Sequence, residues 1–458
     1  MAQKIKFGSK IGLVAATVGS AVGLGNVWRF PAEAQAGGGA AFLLVYVACV
    51  FLLGIPVMVS EFALGRGAES DAVGVFRRLA PRTGWWVTGA LALLASYTIL
   101  CFYMVVAGWT FEYLWQSFTG ALYETGTALG GLDNGELNGL FSERMTQYIH
   151  GTSGPLVNTY TMIVISIAVL MLGVRKGIER MSNLLMPVLF ALLILFCCVA
   201  LTLPKAVEGL QFFFYPDFSK LTPRVVVNAL GQAFFSLSLG MGILVTYASY
   251  YPRNTRLTRT ATMVSALDLL VAVMMGVIIF PTVMSFGLDK ESVEGATLVF
   301  ITLPEVFSRM GGTQFWSTAF FLLLTVAALT SIISISEVTI AFFQNHFKFR
   351  RVKAVLVVML PLFVFSTLCS LSLGVLSGWK IAGMVLFDFL DYATMNLLLP
   401  VVALLTCIYL GWRAPKGFMA GELTNNGTLH SAVLPVIMFI IRWIAPVLIF
   451  IILISQFI

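Results

Sequence analysis

The residues best placed to do chemistry lie in GSAVGLGNVWRFP, Gly19 to Pro31. Glycines stand at 19, 23 and 25, followed by Asn26, the pair Trp28-Arg29 and Pro31, all within the first long apolar segment. Glycine weakens a helix interior, and proline fits only near an end or at a kink. In lipid, broken backbone is tolerated only where it is buried in protein or lines a wet cavity. A helix opened there exposes N–H groups at the positive end of a half-helix dipole, which suits an anion. A second stretch, GQAFFSLSLGMGILVTYASYYP, places Ser236, Ser238, Gly240 and Gly242 near the middle of another apolar segment. Asp268 lies in the segment after it, and an intramembrane acid is costly and functional by default. His150, His346 and His430 are in or near loops, with no metal spacing, so an enzyme is not expected.

These residues need elements to hold them. The 458 residues are 59% hydrophobic and 11% charged, with a mean hydropathy of +0.93. Soluble chains carry about 25% charged residues, so the composition predicts an all-α polytopic membrane protein. Apolar segments read at about 10–31, 41–64, 85–118, 156–173, 183–204, 225–250, 260–288, 314–347, 352–376, 380–411 and 432–458, eleven in all. Lys and Arg divide 19 to 7 between alternate loops, the richer set beginning with Lys4, Lys6 and Lys10. The positive-inside rule therefore expects a cytoplasmic amino terminus and, with eleven crossings, an external carboxyl terminus. It also explains the net charge of +7 without nucleic acid. Segment 119–155, with Asp133, Glu136 and Glu143, becomes an external loop, and Phe212-Phe213-Phe214 and Pro304 fall in short surface helices. The six cysteines sit in apolar runs and read as packing thiols. No cleavable signal peptide is expected, because the first apolar segment carries the glycine-rich site.

The interrupted segments are the first and the sixth, five apart. Five being odd, the second block starts from the opposite side of the membrane. That is the layout of an inverted repeat, about 10–204 against 225–411 with an extra helix at 432–458, and paired interruptions point to a transporter's site.

GSAVGLGNVWRFP, GGGAAFLLVY, GIPVMVSEFALGR, GQAFFSLSLGMG and ALTSIISISE together resemble the neurotransmitter:sodium symporter family, its bacterial amino-acid branch in particular. The match runs over nearly the whole chain, and eleven helices look like the members closest to multi-hydrophobic amino-acid transporters. The resemblance implies the bacterial leucine-transporter-type fold and sodium-coupled import of a hydrophobic L-amino acid by alternating access. A tyrosine-selective member, or a sodium-dependent receptor or channel without turnover, is the alternative. A monomer or weak dimer in a bacterial inner membrane is expected.

Residue by residue, the resemblance gives the substrate carboxylate to the amides of Leu24 and Gly25 and the Tyr103 hydroxyl. Members that carry monoamines have an aspartate where Gly23 stands, so the substrate here brings its own carboxylate. The first of two sodium sites maps onto Ala21, Asn26, Ser236 and Asp268, completed by that carboxylate. The second maps onto Gly19, Val22, Ala327, Thr330 and Ser331, although Thr330 and Ser331 also suit ordinary back-bonding to helix carbonyls. Anchored on Gly276, Asp268 falls where chloride-dependent relatives have Asn, with Ala272 at the chloride-binding Ser. An acid there, near Tyr46, Gln232 and Ser236, replaces the anion, so chloride is not required.

The side-chain pocket maps onto Ile99, Tyr103, Phe235, Ser238, Met241, Ser331 and Ile335. Ser20 borders it and touches substrate or only its neighbours. Met241 stands where the leucine-type member has Phe, and a flexible thioether favours breadth. The outer gate pairs Arg29 with Asp391, or with Asp388 one turn away, above a lid of Tyr103 and Phe235. An Arg at that depth is also a common snorkelling anchor. The inner gate departs from the family: Lys4 and Phe7 replace Arg and Trp, and Gln344-Asn345 stand where an Asp belongs, with Tyr250 still available. Gly177 and Pro187 match a spacing that unwinds helix 5 when the inside opens, though such a proline is commonly only a kink. Glu61 reads as structural, Glu337 as a candidate proton acceptor, and Glu112 and Arg442 have no assigned partner.

Overall fold

The computed structural model describes residues 6–124, 134–287 and 298–455. Lys4, Asp133 and Lys290 lie outside the described residues. Nine continuous helices are long and apolar enough to cross a membrane: α2 (Ala40–Ala68), α3 (Trp86–Thr119), α4 (Ser153–Met171), α5 (Val174–Leu201), α7 (Leu257–Phe286), α8 (Thr313–His346), α9 (Arg351–Ser372), α10 (Leu386–Arg413) and α11 (Leu434–Ser455). A bent pair, Lys10–Ala21 and Gly25–Ala36, forms α1 with a 55° change of direction. A second interrupted pair, Pro223–Ser236 and Ile243–Ser249, forms α6 at the expected sixth segment.

Local chemistry sets both breaks. α1 starts at Ser9, whose side chain accepts from the Gly12 N–H, and stops at Val22, where the backbone turns extended. Pro31 lies just where the π-helical turn Gly25–Arg29 passes into α-helix, so its missing N–H falls at a change of hydrogen-bond register. In α6 the Thr222 side chain caps the first half, with Pro223 opening it. Ser238 (φ +55), Gly240 (φ +78) and Gly242 (φ +73) then turn the chain before it resumes. Ser238 is the unusual one, a non-glycine residue held left-handed within a membrane segment.

The long helices α3 and α8 pack on each other at the centre. The most apolar window of α8 is 83% buried and that of α5 only 28%, so α8 is core and α5 faces lipid. α2 rides against the second half of α6 with Gly65 over the Val245 carbonyl, where a Cβ would collide with backbone. The expected surface helices form at Ala206–Phe214 and Leu303–Ser308, the first burying Phe213 against Phe280 at 5.2 Å between ring centroids. The six cysteines are unpaired thiols.

Two boundaries differ from expectation. The tenth segment begins at Leu386 rather than 380, because Gly383 (φ +83) turns residues 380–385 into a two-stranded hairpin. The loop at 119–155 contains a 17-residue helix, Asn134–His150, whose polar composition hid it from a search for apolar segments. Gly65→Val is expected to lower the thermal midpoint in detergent, through a clash worth roughly 1–3 kcal/mol; an unchanged melting curve would contradict that close approach.

Candidate functional site

A small cavity lies where the breaks of α1 and α6 face α3 and α8. Its wall holds every residue assigned to the substrate: Ser20, Ala21, Leu24, Gly25, Ile99, Tyr103, Phe235, Ser236, Ser238, Met241, Ser331 and Ile335. Asn26, Gly23 and Met395 complete it. The breaks are tied directly, since the Ser238 hydroxyl donates to the Ser20 carbonyl at 2.8 Å. Ser20's own hydroxyl donates to Thr17 O at 2.7 Å, so neither polar group of Ser20 is idle. The Leu24 N–H reaches the Tyr103 hydroxyl at 3.4 Å, leaving that amide and phenol together at the cavity's polar end. A Cβ on Gly23 would stand 2.8 Å from Ser331 Oγ and 3.3 Å from the Tyr103 hydroxyl, so a side chain there would displace the Ser331 hydroxyl.

Oxygen atoms gather beside this end. Asn26 Nδ2 donates to Asp268 Oδ1 at 2.8 Å, and Ser236 Oγ lies 2.6 Å from Asp268 Oδ2 and 3.2 Å from Asn26 Oδ1. All three side chains are buried. Gln232 donates to the Gly25 carbonyl at 3.2 Å, while its own carbonyl oxygen is buried without a partner among the described residues. On the α8 side, Gly19 abuts Thr330, whose Cβ would lie 3.4 Å from a Cβ at that glycine. The Thr330 hydroxyl back-bonds to Ala327 O at 3.0 Å and Val326 O at 3.2 Å. Back-bonding uses its proton only, so its lone pairs remain free for a cation. Val22, Ala327 and Ser331 are buried too. Glu61 accepts from the Gly240 N–H at 2.8 Å and so fixes the second break.

Above the cavity, a vestibule of about 400 Å³ shares Leu24, Gly25, Tyr103, Phe235 and Met395 with it, so Tyr103 and Phe235 stand between the two spaces. Asp391 lines this vestibule, and Asp388 is not among its lining residues. The expected Arg29–Asp391 ion pair is not made. Arg29 lies over the Phe235 ring at 5.1 Å and pairs with Glu33 at 4.0 Å, and Glu33 also accepts from Asn228 at 2.9 Å. Glu33 is nearer by construction, being one turn along the same helix.

At the end of the bundle away from the vestibule, the residues expected at the inner gate find other partners. Phe7 is wedged among Tyr247, Tyr250 and Tyr251, with ring centroids at 5.9, 6.2 and 6.2 Å, and its N–H donates to Tyr250 O. Tyr250 donates to Glu337 at 2.8 Å, and Arg351 grips both Glu337 oxygens at 2.8 and 2.7 Å. Glu337 is therefore an ion-pair partner here, not the free proton acceptor expected. Glu179 accepts from Gly8 N (2.8 Å), Ser9 N (3.0 Å) and Ser9 Oγ (2.9 Å), pinning the start of α1 to α5. α5 runs unbroken through Gly177 and Pro187, so the unwound form is not the one seen. Gly177 has a further reason to be glycine, because a Cβ would meet Val169 O of α4.

The family model described as "Sodium:neurotransmitter symporter family" matches residues 4–127 and 142–458. The chain belongs to this family. It is 35% identical to an uncharacterized sodium-dependent transporter, YhdH, of Bacillus subtilis over 98% of this chain and 96% of that one. A second uncharacterized sodium-dependent transporter, from Haemophilus influenzae, is 32% identical over 99% and 98%. Among solved structures, MhsT in complex with L-phenylalanine superposes with a TM-score of 0.88 at 38% identity, covering 99% of this chain and all of that one. The protein is thus a multi-pass, sodium-dependent transporter with the leucine-transporter-type fold, and not an enzyme.

Four side chains of this transporter's site escaped the sequence. Glu33 alone had a signal, four residues after Arg29. Met395, Glu179 and Arg351 gain their importance from distant partners that no spacing announces. Glu112 and Arg442 acquire structural partners, Asn158 at 2.5 Å and the Gly411 carbonyl at 2.8 Å. Glu179→Ala is expected to speed amide exchange at Gly8 and Ser9 about tenfold or more, bonds to a charged acceptor being worth roughly 1.5–3 kcal/mol each; unchanged protection would mean the α1–α5 tie carries no weight.

Proposed function

We propose that this transporter imports hydrophobic L-amino acids, aliphatic and aromatic, with two sodium ions and without chloride. The observation that carries the reading is one cavity with two unlike ends. Its body is apolar, from Ile99, Phe235, Met241 and Ile335, and its polar end joins the opened α1 backbone to the Asn26–Ser236–Asp268 cluster. An amino acid matches both ends, with the carboxylate at the Leu24 and Gly25 amides and an apolar side chain against Met241. MhsT, similar over its whole length, has been seen with L-phenylalanine, which has this character.

One sodium ion takes oxygens from Ala21, Asn26, Ser236 and Asp268, with the substrate carboxylate completing the set. The other takes them from Gly19, Val22, Ala327, Thr330 and Ser331. Sharing the carboxylate is the coupling: ion and substrate each raise the other's affinity, by the same factor in both directions. Asp268 supplies a fixed negative charge next to the first ion, which removes the need for a bound halide. Repeats at about 10–204 and 225–411 alternate access to this point, with α1, α2, α6 and α7 rocking against α3, α4, α8 and α9. Arg29 and Asp391 close the outside above Tyr103 and Phe235, while release of Phe7, Tyr250 and Glu179, with unwinding between Gly177 and Pro187, opens the inside. The basic loops put the amino terminus in the cytoplasm and the carboxyl terminus outside a bacterial plasma membrane.

Competition for sodium-dependent binding by the twenty amino acids tests the substrate: leucine, phenylalanine and tyrosine compete, whereas a profile limited to charged or small polar amino acids overturns the pocket. Counterflow of labelled substrate in vesicles distinguishes a transporter from a receptor, which shows none. Uptake with gluconate in place of chloride is expected to be unchanged for the wild type. Asp268→Asn is expected to lose about ten- to a hundredfold in sodium affinity, the range for a contact to a charged group, and to regain part of it with chloride. Chloride-stimulated uptake by the wild type would refute the role given to Asp268.

A further inference from the structure

The cavity between the two breaks has a neighbour. A side pocket of about 60 Å³ lies between α1, the first half of α6, α10 and α11. Among the described residues, Phe235 and Met395 are the two that line both spaces. Met395 is also the one contribution of α10 to the cavity wall among those residues. It stands in the π-helical turn Ala393–Leu398, a departure from regular helix that recurs at functional sites.

Size decides what this arrangement can do. The cavity measures about 40 Å³. One water needs roughly 10–15 Å³ of such space, so about three fit, and leucine is already larger than that. A hydrophobic amino acid therefore enters only if part of the wall yields, and an aromatic one asks more of it than an aliphatic one. Ile99, Met241 and Ile335 are buried in a close-packed core, which resists displacement. Phe235 is held in place: its ring lies on Gly25, where a Cβ would stand 2.4 Å from it, and Arg29 sits over it at 5.1 Å. Met395 is half-buried, and its unbranched thioether turns about three bonds. It also has somewhere to go. The side pocket beside it is walled by Leu399 and Pro400, by Ile449 and Ile452 of α11, and by Gly231, where a Cβ would meet nothing within 4 Å. Met241 is a thioether too, but it lines the cavity and not the side pocket.

We propose that Met395 is a movable partition that sets the substrate range. It gives a little for an aliphatic side chain and turns fully into the side pocket for an aromatic one. The ring then takes the space that the thioether leaves, and the thioether takes the space beside Gly231. The proposal rests on the reading of the cavity as a hydrophobic amino-acid site and adds which part of the wall makes that site broad.

The test uses the full chain, purified, with sodium-dependent binding of leucine and of phenylalanine as the readout. Wild-type protein is expected to bind both. Gly231→Leu fills the side pocket from α6 without altering a residue of the cavity wall. It is expected to weaken phenylalanine relative to leucine by about tenfold or more, the effect of a methylene-sized misfit. Met395→Ile, stiff at χ1, is expected to discriminate in the same direction. Adding Met395→Ala to Gly231→Leu removes the side chain that has to move and is expected to restore phenylalanine binding. In protein with labelled methionine methyl groups, the signal lost in Met395→Leu is expected to shift further with phenylalanine than with leucine. Equal losses of the two amino acids in Gly231→Leu overturn the proposal, as does a double variant that stays defective for phenylalanine. A Met395 methyl signal that moves alike with both also overturns it. Wild-type binding of only one of the two leaves no breadth to explain and overturns it as well. Wild-type protein that binds neither overturns the substrate reading, and the proposal with it; binding of both without discrimination by the variants overturns the proposal alone.

Discussion

A carboxylate buried in the middle of a helical bundle is the constraint around which this structure is arranged. Asp268 is fully removed from solvent, and an isolated buried charge is among the most costly things a fold can contain. It is tolerated because Asn26 and Ser236 bond its two oxygens from two other helices. Both donors stand beside a break, one just after the opening in α1, the other at the end of the first half of α6. Acid, amide, hydroxyl and opened backbone are therefore mutually required. Remove the Asp268 carboxylate and Asn26 keeps only its longer contact to the backbone carbonyl at 268; close either break and the acid loses a partner.

The two ends of the bundle are held by different physics. At one, an apolar wedge of Phe7 among three tyrosines is backed by the buried Glu337–Arg351 pair. That pair joins α8 to α9, so parting α1 and α6 from α8 breaks the Tyr250–Glu337 bond and the Phe7 packing and leaves the ion pair whole. At the other end, Arg29 and Glu33 remain partly exposed at 4.0 Å within one helix, a geometry that contributes little.

The fold was legible because membrane helices announce themselves by length and apolarity, and their breaks by glycine and proline in the wrong place. The cavity was legible for a related reason: its residues cluster on segments whose breaks expose backbone, and the family resemblance supplied their order. What escaped was long-range pairing. Nothing near Glu179 says that it holds Gly8 and Ser9, more than 160 residues away in sequence. Glu337 looked free because the sequence shows an acid in a helix but not the arginine packed beside it. Met395 had no chemistry to mark it, and a thioether on an apolar helix is indistinguishable from core packing. The Asn134–His150 helix was hidden by its polarity, since only apolar runs were diagnostic.

The short bond from Ser238 to the Ser20 carbonyl makes a yoke of the two broken helices. A second crosspiece, Glu33 to Asn228, joins their outer halves. Harnessed in this way, the interrupted segments turn together, and whatever lies between them is carried as a single load. To part the two breaks, the bond from Ser238 must be given up, and with it the contact that faces a left-handed, strained residue towards its partner helix.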